Sequence, residues 1–228
     1  RRDRIGGIAG HSVGELTAAA GAGVLSETDA VAFVRERGAA MAAAAAQTPT
    51  GMSAVIGADE TELLAKLDEL GLSPANYNGG GQIVVAGALD ALAALSENPP
   101  ARARVIPLQV AGAFHTRYMA PAVPALEEFA ATLATSDPTL PLWTNKDGSL
   151  VSSGAEFLRL LVGQVSSPVR WDLCMEAFQA AGVTGIVEVA PAGALVGLAK
   201  RGLKGIPSVA VKTPDDLPAA FELIDQAA

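Results

Sequence analysis

Residues 5–9, Ile-Gly-Gly-Ile-Ala, are a short apolar run of strand character, and the residues after them leave the backbone little choice. Gly10-His11-Ser12-Val13-Gly14 comes next, then the alanine-rich run 16–22, which has helical composition. A strand, a G-x-S-x-G pentapeptide and a helix in that order place a serine on a strained turn at the carboxyl edge of a sheet. Glycine on either side is required because a Cβ does not fit where the chain reverses so sharply. The turn also sets Ser12 at a helix N-terminus, where free N–H groups and the dipole favour developing negative charge. The Val13 backbone N–H is therefore an expected oxyanion donor.

A nucleophilic serine needs a base, and the chain has 2 histidines. His11 adjoins Ser12, and neighbours on an extended chain point to opposite faces, so it is read as a residue packed under the turn. His115 falls at a predicted strand-to-helix junction, the kind of sheet edge where Ser12 is expected. By elimination it is the candidate base.

The run 27–46 has helical period, with Phe33, Val34, Arg37 and Met41 expected on one side and Arg35 and Glu36 on the other. Arg37 thus stands on an apolar stripe. A guanidinium there needs a negative partner, unless it snorkels to the surface.

After Gln47-Thr48-Pro49-Thr50 the pattern changes. Strands are expected at 51–57, 73–77, 82–86 and 104–110, with helices at 59–70 and 88–95. That βαββαβ order is the split βαβ unit of a ferredoxin-like fold, here inserted in an α/β chain. The glycine run 79–81 joins two strands and opens no helix, so it is read as a turn and not a phosphate cradle. Beyond 110 the expected order is a helix from 121 to just before Pro138, a strand at 140–145 and helices at 154–165 and 172–181. A strand at 185–189, a helix to 203, a strand at 209–212 and a helix from 214 to 227 complete it. Repeated αβ alternation with short links implies a mostly parallel, helix-covered sheet. The expected division is a larger α/β-hydrolase-like unit, residues 1–48 and 111–228, with the ferredoxin-like unit at 49–110.

Composition excludes several classes of function. A net charge of −8 with no basic run argues against a general nucleic-acid binder, and no apolar run approaches a membrane span. The single cysteine, Cys174, excludes an intramolecular disulfide and suits a reducing compartment, hence a cytoplasmic protein.

Gly10-His11-Ser12-Val13-Gly14-Glu15, Arg37-Gly38 followed by Met41, Asn76-Tyr77-Asn78 with Gln82, Gly112-Ala113-Phe114-His115, and Gln164 before Ser167-Pro168-Val169-Arg170-Trp171 together resemble malonyl-CoA:acyl-carrier-protein transacylase. This is the acyltransferase of type II fatty-acid synthesis, found also as a domain of polyketide synthases. The resemblance spans essentially the whole chain. It implies that Ser12 carries the acyl group, that His115 is the base, and that the main-chain carbonyl of Gln164 orients His115 in place of an acid. It implies that Arg37 grips the malonyl carboxylate, with Met41, Asn78 and Gln82 around the pocket and Phe114 crowding the α-carbon as in malonyl-selective members. Glu15 is read as an ordinary first-turn helix acid.

The implied substrates are malonyl-CoA and the phosphopantetheine thiol of acyl carrier protein, with no permanent cofactor or metal and a monomeric enzyme. Carrier docking would be local, at Lys200, Arg201 and Lys204 or at Arg102, Arg104 and Arg117. The family's G-x-G-x-Q loop, source of a second oxyanion donor, has no counterpart here, so an N-terminal part is expected to be missing. A serine esterase or thioesterase using the same dyad, and an inactive binding module, remain open alternatives.

Overall fold

The computed structural model describes residues 2–226. After a 3-10 turn (Arg2–Arg4) come two α-helices, α1 (Gly14–Ala22) and α2 (Glu27–Ala45). The inserted unit comes next as β1 (Thr50–Ile56), α3 (Glu60–Leu70), β2 (Ser73–Gly79), β3 (Gln82–Ala88), α4 (Leu89–Glu97) and β4 (Arg104–Pro107). These strands lie in the order β4-β1-β3-β2, every pair antiparallel, as a split βαβ unit requires.

Alternation along the strands sorts side chains onto two faces. Val55, Ile83 and Val85 face α3 and α4, where they meet Leu63, Leu67, Leu92 and Leu95. Met52, Ala54, Val84 and Ala86 turn the other way and pack with Ala113, Phe114 and Tyr118. Gly79, Gly80 and Gly81 all have positive φ and close the β2–β3 turn, a conformation that side-chain-bearing residues rarely adopt. The short strand β5 (Val169–Arg170) pairs in parallel with β2 through Asn76 and Tyr77, which stitches the insertion to the rest of the chain.

The larger part continues with α5 (Val123–Ala130), α6 (Gly154–Gln164), α7 (Trp171–Ala180), β6 (Ile186–Glu188), α8 (Ala194–Gly202), β7 (Ser208–Ala210) and α9 (Leu217–Gln226). Its main core is built by α1, α2, α5 and α6 around Leu16, Phe33, Leu126 and Phe157. Ala18, Ala19 and Ala22 line the buried face of α1, where small side chains let neighbouring helices approach. A second core gathers Trp143, Trp171, Met175, Phe178, Leu198 and Leu203. Lys200 and Arg201 occupy the last turn of α8, where positive charge meets the negative end of the helix dipole. Among the described residues no helix is long and apolar enough to cross a membrane.

Three local expectations are corrected. Residues 5–9 and 140–145 meet in parallel, but at a single bridge, Ile8 with Leu142. Ile8 N–H donates to Pro141 O at 2.8 Å and Ile8 O accepts from Trp143 N–H at 3.2 Å. The ladder stops there because Pro141 has no N–H to give, and because Gly6-Gly7 is poor strand material. Gly7 is required as glycine, since a Cβ would lie 2.2 Å from the Trp143 ring. Second, the helix expected from 121 to before 138 is a 3-10 turn (Arg117–Ala122) followed by α5. Past Ala130 the chain leaves the helix to bond the end of α1, with Ser136 N–H on Val24 O and Thr139 N–H on Ala22 O. Third, Val34 is 40% exposed, so the buried stripe of α2 is Ala30, Phe33, Arg37, Met41 and Ala44.

Candidate active site

The turn at Ser12 is held by its own backbone and by two distant amides. Gly14 N–H donates to His11 O, Glu15 N–H to Ser12 O and Leu16 N–H to Val13 O; the Val13 amide is left out of these bonds. Ser12 has φ 54, a left-handed conformation that costs a serine about 1–3 kcal/mol and persists only where the surroundings enforce it. Here Ser12 N–H donates to Asn145 Oδ1 at 2.7 Å, and Ser12 O accepts from Gln164 Nε2 at 3.0 Å. Gly10 leaves room for the reversal: a Cβ would lie 2.0 Å from the Gly14 carbonyl. Gly10→Ala is therefore expected to destabilise the fold by about 3 kcal/mol or more, as read by urea unfolding, because only backbone could move aside.

His115 reaches the same point from the segment between β4 and α5. It has φ 61, and its N–H is fixed on Val165 O at 3.0 Å. Nδ1 lies 3.0 Å from the Gln164 carbonyl, which can only accept, so Nδ1 carries the proton. Nε2 is then the lone-pair nitrogen, and it lies 2.6 Å from Ser12 Oγ. Burial pushes the imidazole pKa down to about 4, with the nearby Arg37 charge acting in the same direction. The ring is therefore neutral at physiological pH and able to accept a proton.

Arg37 enters from α2 and is 8% exposed, with Phe33 and Met41 one turn away on either side. Its Nη2 donates to Ser12 Oγ at 3.1 Å and to Gln164 Oε1 at 2.9 Å. Its Nε is buried without a partner. Burial lowers its pKa to about 10, partly opposed by the charge of Glu15, so it stays cationic at neutral pH. Among the described residues no carboxylate forms an ion pair with it. A guanidinium on an inner face with only neutral acceptors is prepared for an anion.

Met41 is buried in the main core with Phe33 and Met119. Phe114 is half-buried between that core and the open face of the inserted sheet. Asn78 is buried, and its amide is spent between His11 Nε2 at 2.9 Å and Gln82 Oε1 at 3.1 Å. His11 packs edge-on against Trp171 with ring centroids 5.6 Å apart, under the turn and not on Ser12. Cys174 is no second nucleophile: burial pushes its thiol up to about 12, and Sγ–H donates to Thr144 O.

Sequence reasoning missed three participants. Glu15 is fully buried, the Gln164 side chain joins the site beyond its carbonyl, and Asn145 bridges Gly10 O and Ser12 N–H. A signal for Glu15 was present. Positions 15, 18, 19 and 22 form one helical face, and the last three are alanines in the core. Nothing local marked Asn145, because the two groups of the serine turn that it bridges lie more than 130 positions away.

The chain matches the family model described as acyl transferase domain over residues 4–215. It is 56% identical over 210 residues to the malonyl-CoA acyl-carrier-protein transacylase of Mycobacterium tuberculosis, covering 92% of this chain and 70% of that protein. A crystal structure of the M. tuberculosis enzyme superposes with a TM-score of 0.91 at 55% identity, covering 96% of this chain and 71% of that one. A malonyl-transacylase solved in complex with its type II polyketide-synthase carrier protein matches at TM-score 0.88 and 30% identity, covering 95% of this chain and 72% of that one. With a serine turn, a buried imidazole and a buried guanidinium meeting at one hydroxyl, these likenesses agree on a single assignment. The chain belongs to the acyl transferase family, among the malonyl-CoA:acyl-carrier-protein transacylases.

Proposed function

We propose that the chain moves a malonyl group from CoA to the pantetheine thiol of acyl carrier protein through an ester on Ser12, supplying fatty-acid synthesis. The observation that carries this reading is the position of Ser12 Oγ between His115 Nε2 at 2.6 Å and Arg37 Nη2 at 3.1 Å. A base on one side makes the oxygen a nucleophile. A cation on the other holds a substrate whose far end is a carboxylate.

In the first half-reaction His115 Nε2 takes the Ser12 proton as Oγ attacks the thioester carbonyl. The oxyanion meets the Val13 N–H at the start of α1. The C–S bond breaks, the CoA sulfur takes the proton back from His115, and the malonyl-serine ester remains. In the second half-reaction His115 takes the proton of the carrier thiol, whose sulfur attacks the ester, and Ser12 recovers its proton as it leaves. Arg37 meets the malonyl carboxylate with its planar fork, which a lysine could not reproduce. Phe114 and Met41 form the apolar wall near the acyl group, and Asn78 with Gln82 edges the pocket through His11.

The two substrates suffice and no resident cofactor takes part, as in the family. The carrier is the macromolecular partner, consistent with the relative solved with its own carrier protein. Residues 1–48 and 111–228 serve as the catalytic unit and 49–110 as the insertion, acting as a monomer in the cytoplasm.

Mass spectrometry of the intact protein after incubation with malonyl-CoA tests the reading. One malonyl adduct is expected, mapped to the Ser12 peptide, absent from Ser12→Ala and discharged by pantetheinylated carrier protein. Unmodified wild-type protein, or an adduct that survives in Ser12→Ala, would refute it. Release of free malonate as fast as carrier loading would point to an esterase instead.

A further inference from the structure

Glu15 is 1% exposed and has no part in the acyl-transfer steps of Ser12 and His115. It stands in the first turn of α1, and its two oxygens face different segments. Oε1 accepts the Asn145 backbone N–H at 2.6 Å, and Oε2 accepts from Gln164 Nε2. The first contact supports the amide that holds the Ser12 turn. The second leads to Arg37.

With Glu15 ionised, the Gln164 side-chain amide stands between groups of fixed polarity, because a carboxylate only accepts and a guanidinium only donates. Burial raises the Glu15 pKa to about 7, and the N–H donors from Asn145 and Gln164 oppose that rise. Its Nε2 faces two acceptors, Glu15 Oε2 and Ser12 O, while its Oε1 faces Arg37 Nη2. Reversing the amide would set NH₂ against the guanidinium and an oxygen against a carboxylate and a carbonyl. Glu15 and Ser12 O together thereby fix which end of Gln164 meets Arg37. In a buried site such a network holds its members strongly, since a group left unpaired there finds no water to replace the lost partner.

We propose that Glu15 is a positioning residue for acyl-group selectivity: by fixing the Gln164 amide it holds the Arg37 fork where the substrate carboxylate docks. This rests on the role of Arg37 in binding the malonyl carboxylate. An acid that merely filled space would support both malonyl and acetyl transfer equally. An acid that aims Arg37 matters more for the acyl group that has a carboxylate.

Glu15→Gln keeps the shape and removes the charge. Its new NH₂ must face one of two N–H donors, Gln164 Nε2 or the Asn145 amide, so the hold on Gln164 and through it on Arg37 weakens. The malonyl-CoA to acetyl-CoA ratio of kcat/KM is expected to fall roughly tenfold to hundredfold, the range of a charge-assisted hydrogen bond. Gln164→Met retains the carbonyl that faces His115 and is expected to lower the ratio similarly, with the double variant falling no further. An unchanged ratio in either single variant, multiplying effects in the double variant, or parallel slowing of both substrates overturns the proposal. If Glu15→Gln does not fold, Gln164→Met decides alone. Arg37→Ala keeps the two ideas apart. An unchanged ratio there removes the role of Arg37 itself, whereas a collapse there without one in Gln164→Met removes only that of Glu15.

Discussion

His115→Ala is expected to slow malonylation of Ser12 by about 10⁴- to 10⁶-fold, the range seen when a nucleophile loses its only base. Rapid-quench measurement of the acyl-enzyme reads this directly, and a loss under tenfold would mean that another group takes the proton. The fold should survive, because besides Ser12 the residue bonds main-chain groups, Gln164 O through its ring and Val165 O through its own N–H. The wild-type pH profile carries the same information. Lowering the pH through about 4 protonates the imidazole and removes the acceptor for the Ser12 proton. The acid limb of kcat/KM, which reports the free enzyme, is therefore expected well below the ordinary histidine value of 6.5. A limb at or above that value would show a solvated ring.

Arg37→Ala is expected to lower kcat/KM for malonyl-CoA by about 10²- to 10³-fold and for acetyl-CoA by less than about tenfold, since only the former leaves a buried carboxylate unpaired. Arg37→Lys should recover little of the malonyl rate, because an ammonium offers no parallel pair of donors. A second effect has a definite sign. The Arg37 charge helps to hold the His115 pKa down, so its removal should move the acid limb of the acetyl-CoA profile to higher pH. A limb that stayed in place would show that burial alone sets the imidazole. Bound to Arg37 as proposed, a malonyl carboxylate would neutralise the guanidinium 3.1 Å from Ser12 Oγ, and His115 would become a stronger base as the acyl group arrives.

Local chemistry carried much of this site. Gly10 before Ser12 specifies a turn that few other residues could make, whereas a Cβ at Gly14 would meet nothing within 4 Å, and an arginine in step with Phe33 and Met41 identifies a buried charge. The βαββαβ order was equally plain, because two-residue alternation and helical period change sharply at each boundary. The misjudged places were those where a distant partner overrode local preference. Residues 5–9 have strand composition, yet Pro141 opposite them ends the ladder after one bridge. The chain beyond Ala130 could continue as helix, but its amides bond the end of α1 instead.

Glu15, Asn145 and the side chain of Gln164 mark the boundary most clearly. As letters they are a first-turn acid, a turn amide and a helix-end amide, each common on a surface. Folding removes all three from water, and a buried polar group must then find a partner whatever its sequence distance. Periodicity could announce Ser12, His115 and Arg37 because their demands are local: a sharp turn, a sheet edge, an apolar stripe. The chain of donors and acceptors that aligns them is set by which segments meet, and that meeting is a property of the packed molecule.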